Sequence, residues 1–144
     1  MAIVLFDTNI IIDHLNGIPE ATAEIAADYH SRIISTITWM EVACKLSPAK
    51  ISDFRVMLLL ADIGVVQTTE AIMVRSAALR GATIGNRPRK GLPDCIIHAT
   101  AEVEGRIVIT RNPKDFGGEG LFVRVPYDFD DATRTTFNVR PPLV

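Results

Sequence analysis

The stretch Ile3-Val4-Leu5-Phe6-Asp7-Thr8-Asn9-Ile10-Ile11-Ile12-Asp13 decides the fold. Its apolar run, too short for a helix and rich in strand formers, stops at a carboxylate. That is the pattern of a fully buried parallel strand delivering one charged group to the edge of its sheet. Asp7 is that group. Thr8 and Asn9 are placed to cap a short helix carrying Ile10, Ile11, Ile12 and Leu15. In open α/β sheets the ligand crevice lies outside the carboxyl ends of the strands, so Asp7 faces it.

Outward from this stretch, strand-like and helix-like segments alternate. Ala21 to Tyr29 reads as a second helix and Arg32 to Ile37 as a second strand. Thr38 opens a third helix running to about Leu46, and Ser47-Pro48 ends it. Ile51 to Ile63 carries Phe54, Met57, Leu58 and Ala61 at helical spacing, with Gly64 closing it. Val65 to Thr68 is a short strand, and Glu70 to Gly81 a long helix with Ile72, Val74, Ala77, Ala78 and Leu79 mostly inward. A basic loop, Asn86-Arg87-Pro88-Arg89-Lys90, precedes a helix from Leu92 to Gly105 with Pro93 in its first turn. Arg106 to Thr110 is a buried strand, Asn112 to Phe116 a turn, and Leu121 to Val125 the last strand. Such alternation predicts an α/β fold, a mostly parallel central sheet flanked by helices. One domain is expected over residues 1–125, with 126–144 an irregular C-terminal extension packed on it or trailing from it.

A chain of 144 residues is long enough to bury a core without staples. Fifteen Lys and Arg against seventeen Asp and Glu give a net charge of −2, so any nucleic-acid contact must be local. Cys44 and Cys95, each in an apolar helix-like setting, read as reduced core thiols, and there is no zinc pattern. No basic leader precedes the first apolar run, and no apolar stretch approaches the roughly 20 residues that span a bilayer. The expectation is a cytoplasmic protein without a membrane partner.

Asp7, Glu41, Asp94 and Asp115 each begin a predicted helix or helical turn. Acids favour such positions for structural reasons alone, because they meet free amides and the positive end of the helix dipole. Glu41 makes a capping box with Thr38, Asp94 follows a first-turn proline, and Asp115 stands three residues after a possible Asn112 cap. Against this, helices that follow parallel strands begin at one sheet edge, which brings Asp7, Glu41 and Asp115 to one crevice. Like charges gathered there call for a cation, and ligation by oxygen alone points to Mg²⁺ or Mn²⁺. Pattern reasoning does not bring Asp94 into the crevice.

The set Phe6-Asp7-Thr8-Asn9, Met40-Glu41-Val42, Leu92-Pro93-Asp94 with Ala99, and Thr110-Arg111-Asn112-Pro113-Lys114-Asp115-Phe116 resembles the PIN-domain ribonucleases. It is most similar to the toxins of VapBC-type toxin–antitoxin systems. The resemblance covers about Ile3 to Val125 and implies one α/β domain whose four acids hold one or two divalent ions and cleave RNA endonucleolytically. By it Asp7, Glu41 and Asp94 are the core metal-site acids; the fourth place falls on Asp115, with Asn112 its rival. It also implies a small cognate antitoxin, and the same reading expects a homodimer.

Thr8, Asn9, Thr110 and Asn112 support the acids in this reading; the alternative for Thr8 and Thr110 is a helix cap and a strand terminus. Arg111, Arg87, Arg89 and Lys90 are candidates for substrate phosphate, against the alternative of a solvated loop. His98 lies one turn after Asp94, where a hydrogen-bonded neighbour is the commoner role; His14 and His30 read as surface residues. Trp39, Phe54 and Met57 to Leu60 are most simply core, with an apolar partner groove as the minority reading. Two other functions remain open. A phosphotransfer protein or phosphatase would use Asp7 as nucleophile, but haloacid-dehalogenase-type enzymes want a second Asp where Asn9 stands. A catalytically silent PIN-like binding module is the non-enzymatic alternative.

Overall fold

The first strand, β1 (Ile3–Phe6), lies at the middle of the sheet, which explains why it is apolar throughout. The computed structural model describes residues 2–86 and 89–143, so Arg87 falls outside the described residues. Strands β2 (Ser31–Ser35), β3 (Ile63–Val66), β4 (Ile107–Ile109) and β5 (Val123–Arg124) join β1 in a five-stranded sheet of order β3-β2-β1-β4-β5. All of its pairings are parallel. Helices α1 (Thr8–Leu15), α2 (Pro19–Ala26), α3 (Thr36–Ala43), α4 (Pro48–Leu60), α5 (Glu70–Ala82) and α6 (Leu92–Val103) complete the α/β architecture.

Alternation along β1 divides the core between the two faces of the sheet. Val4 and Phe6 join Ile10, Ile11, Ile25, Ile34, Phe54 and Leu58 in one apolar cluster, whereas Leu5 joins Ile33, Ile97, Val108 and Phe116 in another. Leu5 is fully buried, and truncating it to alanine costs about 2–5 kcal/mol.

The chain runs from β1 outward to β2 and β3, then crosses through α5 and α6 to β4 on the other side of β1. The strand order therefore reverses at β1, and the crevice between the ends of β1 and β4 is the place where such sheets bind ligands. Asp7 marks it, its amide donating to the carbonyl of Ile109 at 2.9 Å.

Several elements differ from expectation. Helix α3 begins at Thr36, two residues early, because the Ser35 hydroxyl accepts from the amide of Ile37 at 3.1 Å and caps it there. Helix α4 stops at Leu60, where Asp62, with φ of 54°, turns the chain; Gly64 then lies inside β3 opposite Ile33. In α5 the buried residues are Ile72 and Ser76, while Val74 is 61% exposed. The Ser76 hydroxyl tolerates burial by donating to the Ile72 carbonyl at 2.6 Å. The last strand shrinks to two residues, leaving Leu121 and Phe122 exposed beside the sheet edge.

The C-terminal segment, expected to be irregular, is regular in part. It forms an antiparallel hairpin of β6 (Asp128–Asp130) and β7 (Thr135–Phe137), preceded by Tyr127, which is fully buried against the β1–α1–α2 core. Among the described residues no helix is long and apolar enough to cross a membrane.

Candidate functional site

Asp7 leaves β1 in an extended conformation and itself caps α1, its Oδ1 accepting from the Thr8 amide at 2.8 Å. The expected cap from Thr8 or Asn9 is therefore displaced by one residue. Oδ2 accepts from the Thr110 hydroxyl at 2.8 Å and from the Asn9 side-chain amide at 3.2 Å. Burial pushes the Asp7 carboxyl up to about 6, and the charges of Asp94 and Asp115 push the same way; the bonds from Thr110 and Thr8 oppose them. A buried carboxylate with three donors thus remains reluctant to ionise.

Glu41 is the sixth residue of α3, which removes the capping-box reading. Freed from capping, Thr8 donates its hydroxyl to Glu41 Oε1 at 2.7 Å and stands 3.0 Å from the Thr38 hydroxyl. A side chain on α3 is tied in this way to the first turn of α1, beside Asp7.

Asp94 sits in the first turn of α6, whose N-cap Gly91 supplies no side-chain bond, and the Asp94 carboxyl accepts no hydrogen bond among the described residues. Partial burial raises its pKa first, the charges of Asp115 and Glu41 add to that, and Lys90 opposes. The crossover through α5 and α6 is what brings it to the crevice, a step sequence periodicity did not supply.

Asp115 lies in a single 3-10 turn, Pro113–Phe116, and accepts from the side-chain amide of Asn112. Asn112 makes no side-chain cap. The rivals for the fourth position are thus bonded to each other. Thr110, fully buried, links the whole: its hydroxyl donates to Asp7 and accepts from the Asn112 amide at 2.9 Å. Asn9 adds a second tie, accepting from the Arg111 amide at 3.2 Å.

Asp7, Glu41, Asp94 and Asp115 therefore border one crevice, where the charges of Asp94 and Asp115 act on Asp7 and those of Asp115 and Glu41 act on Asp94. None forms a salt bridge among the described residues. Nor, among those residues, do any three His, Cys, Asp or Glu side chains stand at ligand spacing around one point. The donor set suits a hard divalent cation in chemistry, all oxygen and uncompensated in charge, while the spacing is wider than a closed chelate.

Other expectations fare differently. Arg111 is committed to the protein: its Nε lies 2.7 Å from Asp13 Oδ2 and its guanidinium carbon 4.6 Å above the Phe129 ring. Arg89 is exposed and Lys90 half-buried. His98 pairs with Glu102 at 3.2 Å and meets Phe116 edge-on, and burial lowers its pKa against the opposing charge of Glu102. His14 bonds to Thr22 at 2.8 Å. Cys95 is buried, but Cys44, expected in the core, is exposed at the end of α3. Sequence reasoning missed Asp13, buried three residues after Ile10 on the inward side of α1. That spacing was the available signal.

Comparison with known proteins places this geometry. A family model described as PIN domain matches residues 4–116. Among solved structures the chain is similar to a toxin–antitoxin complex from Klebsiella pneumoniae, with TM-score 0.72 and 37% identity over 88% of this chain and 99% of that one. It also shares its fold with DNA-bound VapBC from Salmonella typhimurium, at TM-score 0.67 and 21% identity over 86% and 98% of the two chains. FitAcB from Neisseria gonorrhoeae gives TM-score 0.65 and 21% identity over 84% and 96%. No curated protein matches the chain. The family model spans every acid of the crevice and most of the parallel sheet, and the chain belongs to the PIN domain family.

Proposed function

We propose that the protein is a Mg²⁺- or Mn²⁺-dependent endoribonuclease, the toxin of a toxin–antitoxin pair, acting in the cytoplasm as a homodimer. One observation carries the reading: Asp7, Glu41, Asp94 and Asp115 converge at the strand-order reversal with no basic side chain paired to any of them among the described residues. Similarity to a chain of a toxin–antitoxin complex, at 37% identity, supports the biological role.

The four acids would hold one or two ions. When bound, such an ion supplies a water of lowered pKa and positive charge beside the phosphodiester. The protein's own groups do the rest. Thr110 and Asn9 fix one oxygen of Asp7, the Thr8 amide fixes the other, and the Thr8 hydroxyl aims Glu41. Asp94, with neither oxygen hydrogen-bonded among the described residues and its acidity weakened, is the group free to orient a water and receive its proton. Asp7 is a poor nucleophile for phosphotransfer, because both its oxygens already accept hydrogen bonds.

A groove of about 770 Å³ lined by Ile25, Val56, Met57, Leu60 and Ala61, with Arg32 and Asp53 at its polar margin, is the surface we assign to the antitoxin. Leu59 and Leu60 are 79% and 81% exposed, so the run read as core is in part an open apolar face suited to an amphipathic helix. Met73 and Val74 on the exposed side of α5 are what a second copy would cover.

The test is cleavage of a structured RNA by purified full-length protein with EDTA, Mg²⁺ or Mn²⁺. Metal-dependent cleavage supports the reading; equal cleavage in EDTA, or none with either metal, refutes it.

A further inference from the structure

The C-terminal segment lies outside the residues that the family model matches, which end at 116. Tyr127 donates its hydroxyl to Asp13 Oδ2 at 2.8 Å, and Asp13, its side chain only 5% exposed, accepts from Arg111 Nη2 at 3.2 Å and forms an ion pair with the same guanidinium, whose Nε lies 2.7 Å away. Phe129 supports the guanidinium from its other side at 4.6 Å. Arg111 stands between Thr110 and Asn112. Its backbone amide bonds to Asn9, the hydroxyl of Thr110 bonds to Asp7, and Asn112 bonds to Asp115. The side chain of Arg111 is therefore held by the tail while its backbone belongs to the acidic crevice.

We infer that Tyr127 and Phe129 are positioning residues: through Asp13 and Arg111 the C-terminal hairpin fixes the Thr110–Asp115 loop and with it the fourth oxygen ligand of the crevice. The inference rests on the proposed metal-binding role of Asp115. Its physical basis is the cost of a buried carboxylate. Asp13 is out of water, so each of its oxygens needs a polar partner; losing the tyrosine hydroxyl leaves Arg111 as its sole side-chain partner. The pair then relaxes toward solvent and takes the loop with it.

The tail has a second anchor, which provides the control. Arg124 pairs with buried Glu24 at 2.8 Å and donates to the Arg140 carbonyl at 3.1 Å, while Tyr29 donates to Glu24 and accepts from the Leu143 amide at 3.3 Å. Tyr29→Phe, like Tyr127→Phe, removes one hydroxyl from one buried carboxylate, yet Tyr29 bonds to no residue of the loop, and the pair it supports meets the loop only where the Arg124 carbonyl accepts from the Thr110 amide at 3.0 Å, outside the Arg111–Phe116 peptide.

In the full-length protein, Mn²⁺ binding is measured by calorimetry and amide exchange of the Arg111–Phe116 peptide by mass spectrometry. For Tyr127→Phe the Mn²⁺ dissociation constant rises about tenfold, at the lower end of what loss of a supporting hydrogen bond does to metal affinity, and exchange of the loop accelerates. Tyr29→Phe lowers the melting temperature but leaves both readouts at wild type. Equal changes in the two variants, or wild-type values in Tyr127→Phe, overturn the inference. Should wild type bind no Mn²⁺, the metal reading of the crevice falls, and loop exchange alone still decides the positioning role. Phe129→Leu, at a half-buried position, gives the same decision if Tyr127→Phe does not fold.

Discussion

Replacing Asp7 by asparagine tests the electrostatic account of the crevice without touching its shape. A carboxyl raised from 3.8 to about 6 is more easily protonated in the folded chain than in the unfolded one. Its contribution to stability is fully present below about pH 4 and lost as pH rises through about 6. The loss reaches about 3 kcal/mol at neutral pH, two pKa units at about 1.4 kcal/mol each. Asparagine escapes that loss but places an amide where Oδ2 stood, facing the Asn9 donor and unable to accept from Thr110, a mismatch worth about 1 kcal/mol. The metal-free variant is therefore about 2 kcal/mol more stable than wild type near pH 7.5, or about 4–8 °C in melting temperature for a chain of this length. Near pH 4 the order reverses, because wild-type Asp7 is then protonated and the mismatch alone remains. Calorimetric melts in EDTA at the two pH values measure this, and added Mn²⁺ then stabilises wild type more than the variant. A metal-free Asp7→Asn protein that melts below wild type by the same margin at both pH values refutes the reasoning.

Asp94→Asn loses cleavage by orders of magnitude while its metal-free fold is as stable as wild type or more so, since no hydrogen bond to Asp94 is broken among the described residues and repulsion from Asp115 and Glu41 is relieved; parallel cleavage assays and melts in EDTA check it. Cys44→Ser and Cys95→Ser retain cleavage, because neither thiol belongs to the hard oxygen set, and loss of activity without loss of fold in either would count against it. Only Cys44 in the native protein reacts quickly with a maleimide, as mass spectrometry of the labelled chain will show. Leu60→Glu places a charge in the apolar groove at an exposed position, so it abolishes binding of the antitoxin proposed above, read by pull-down, while the melting temperature stays within about 1 °C.

What the sequence disclosed followed from strong local patterns. The apolar run at Ile3–Phe6 and its abrupt stop at Asp7 sufficed for the central strand and the position of the first acid, because a strand buried on both faces has no other reading. Boundaries were less legible: Ser35 and Thr38 are both competent caps, and only tertiary packing selects Ser35. Asp94 was found by resemblance rather than derivation, since its approach depends on the crossover through α5 and α6. The pairing of Arg111 was not legible because its partner, Asp13, and its support, Phe129, are distant in sequence and unremarkable in composition. The hairpin after Tyr127 was invisible for a related reason: its strands are three residues each, too short for period-two alternation to register.

The central place of β1 has a consequence for synthesis. The amide of Asp7 and the residues Val4, Leu5 and Phe6 pair with Ile107–Ile109, which leave the ribosome about a hundred residues after them. Until then the apolar first strand can pair only with β2, and one of its edges stays open. Non-local parallel pairing forms slowly, because a long loop must close before the contact repays it. Asp115 follows later still, and Tyr127 after that. A nascent chain of this architecture therefore carries Asp7 for about a hundred residues of synthesis before Asp115 can join it, and it holds no assembled crevice until β4 and the turn after it have been made.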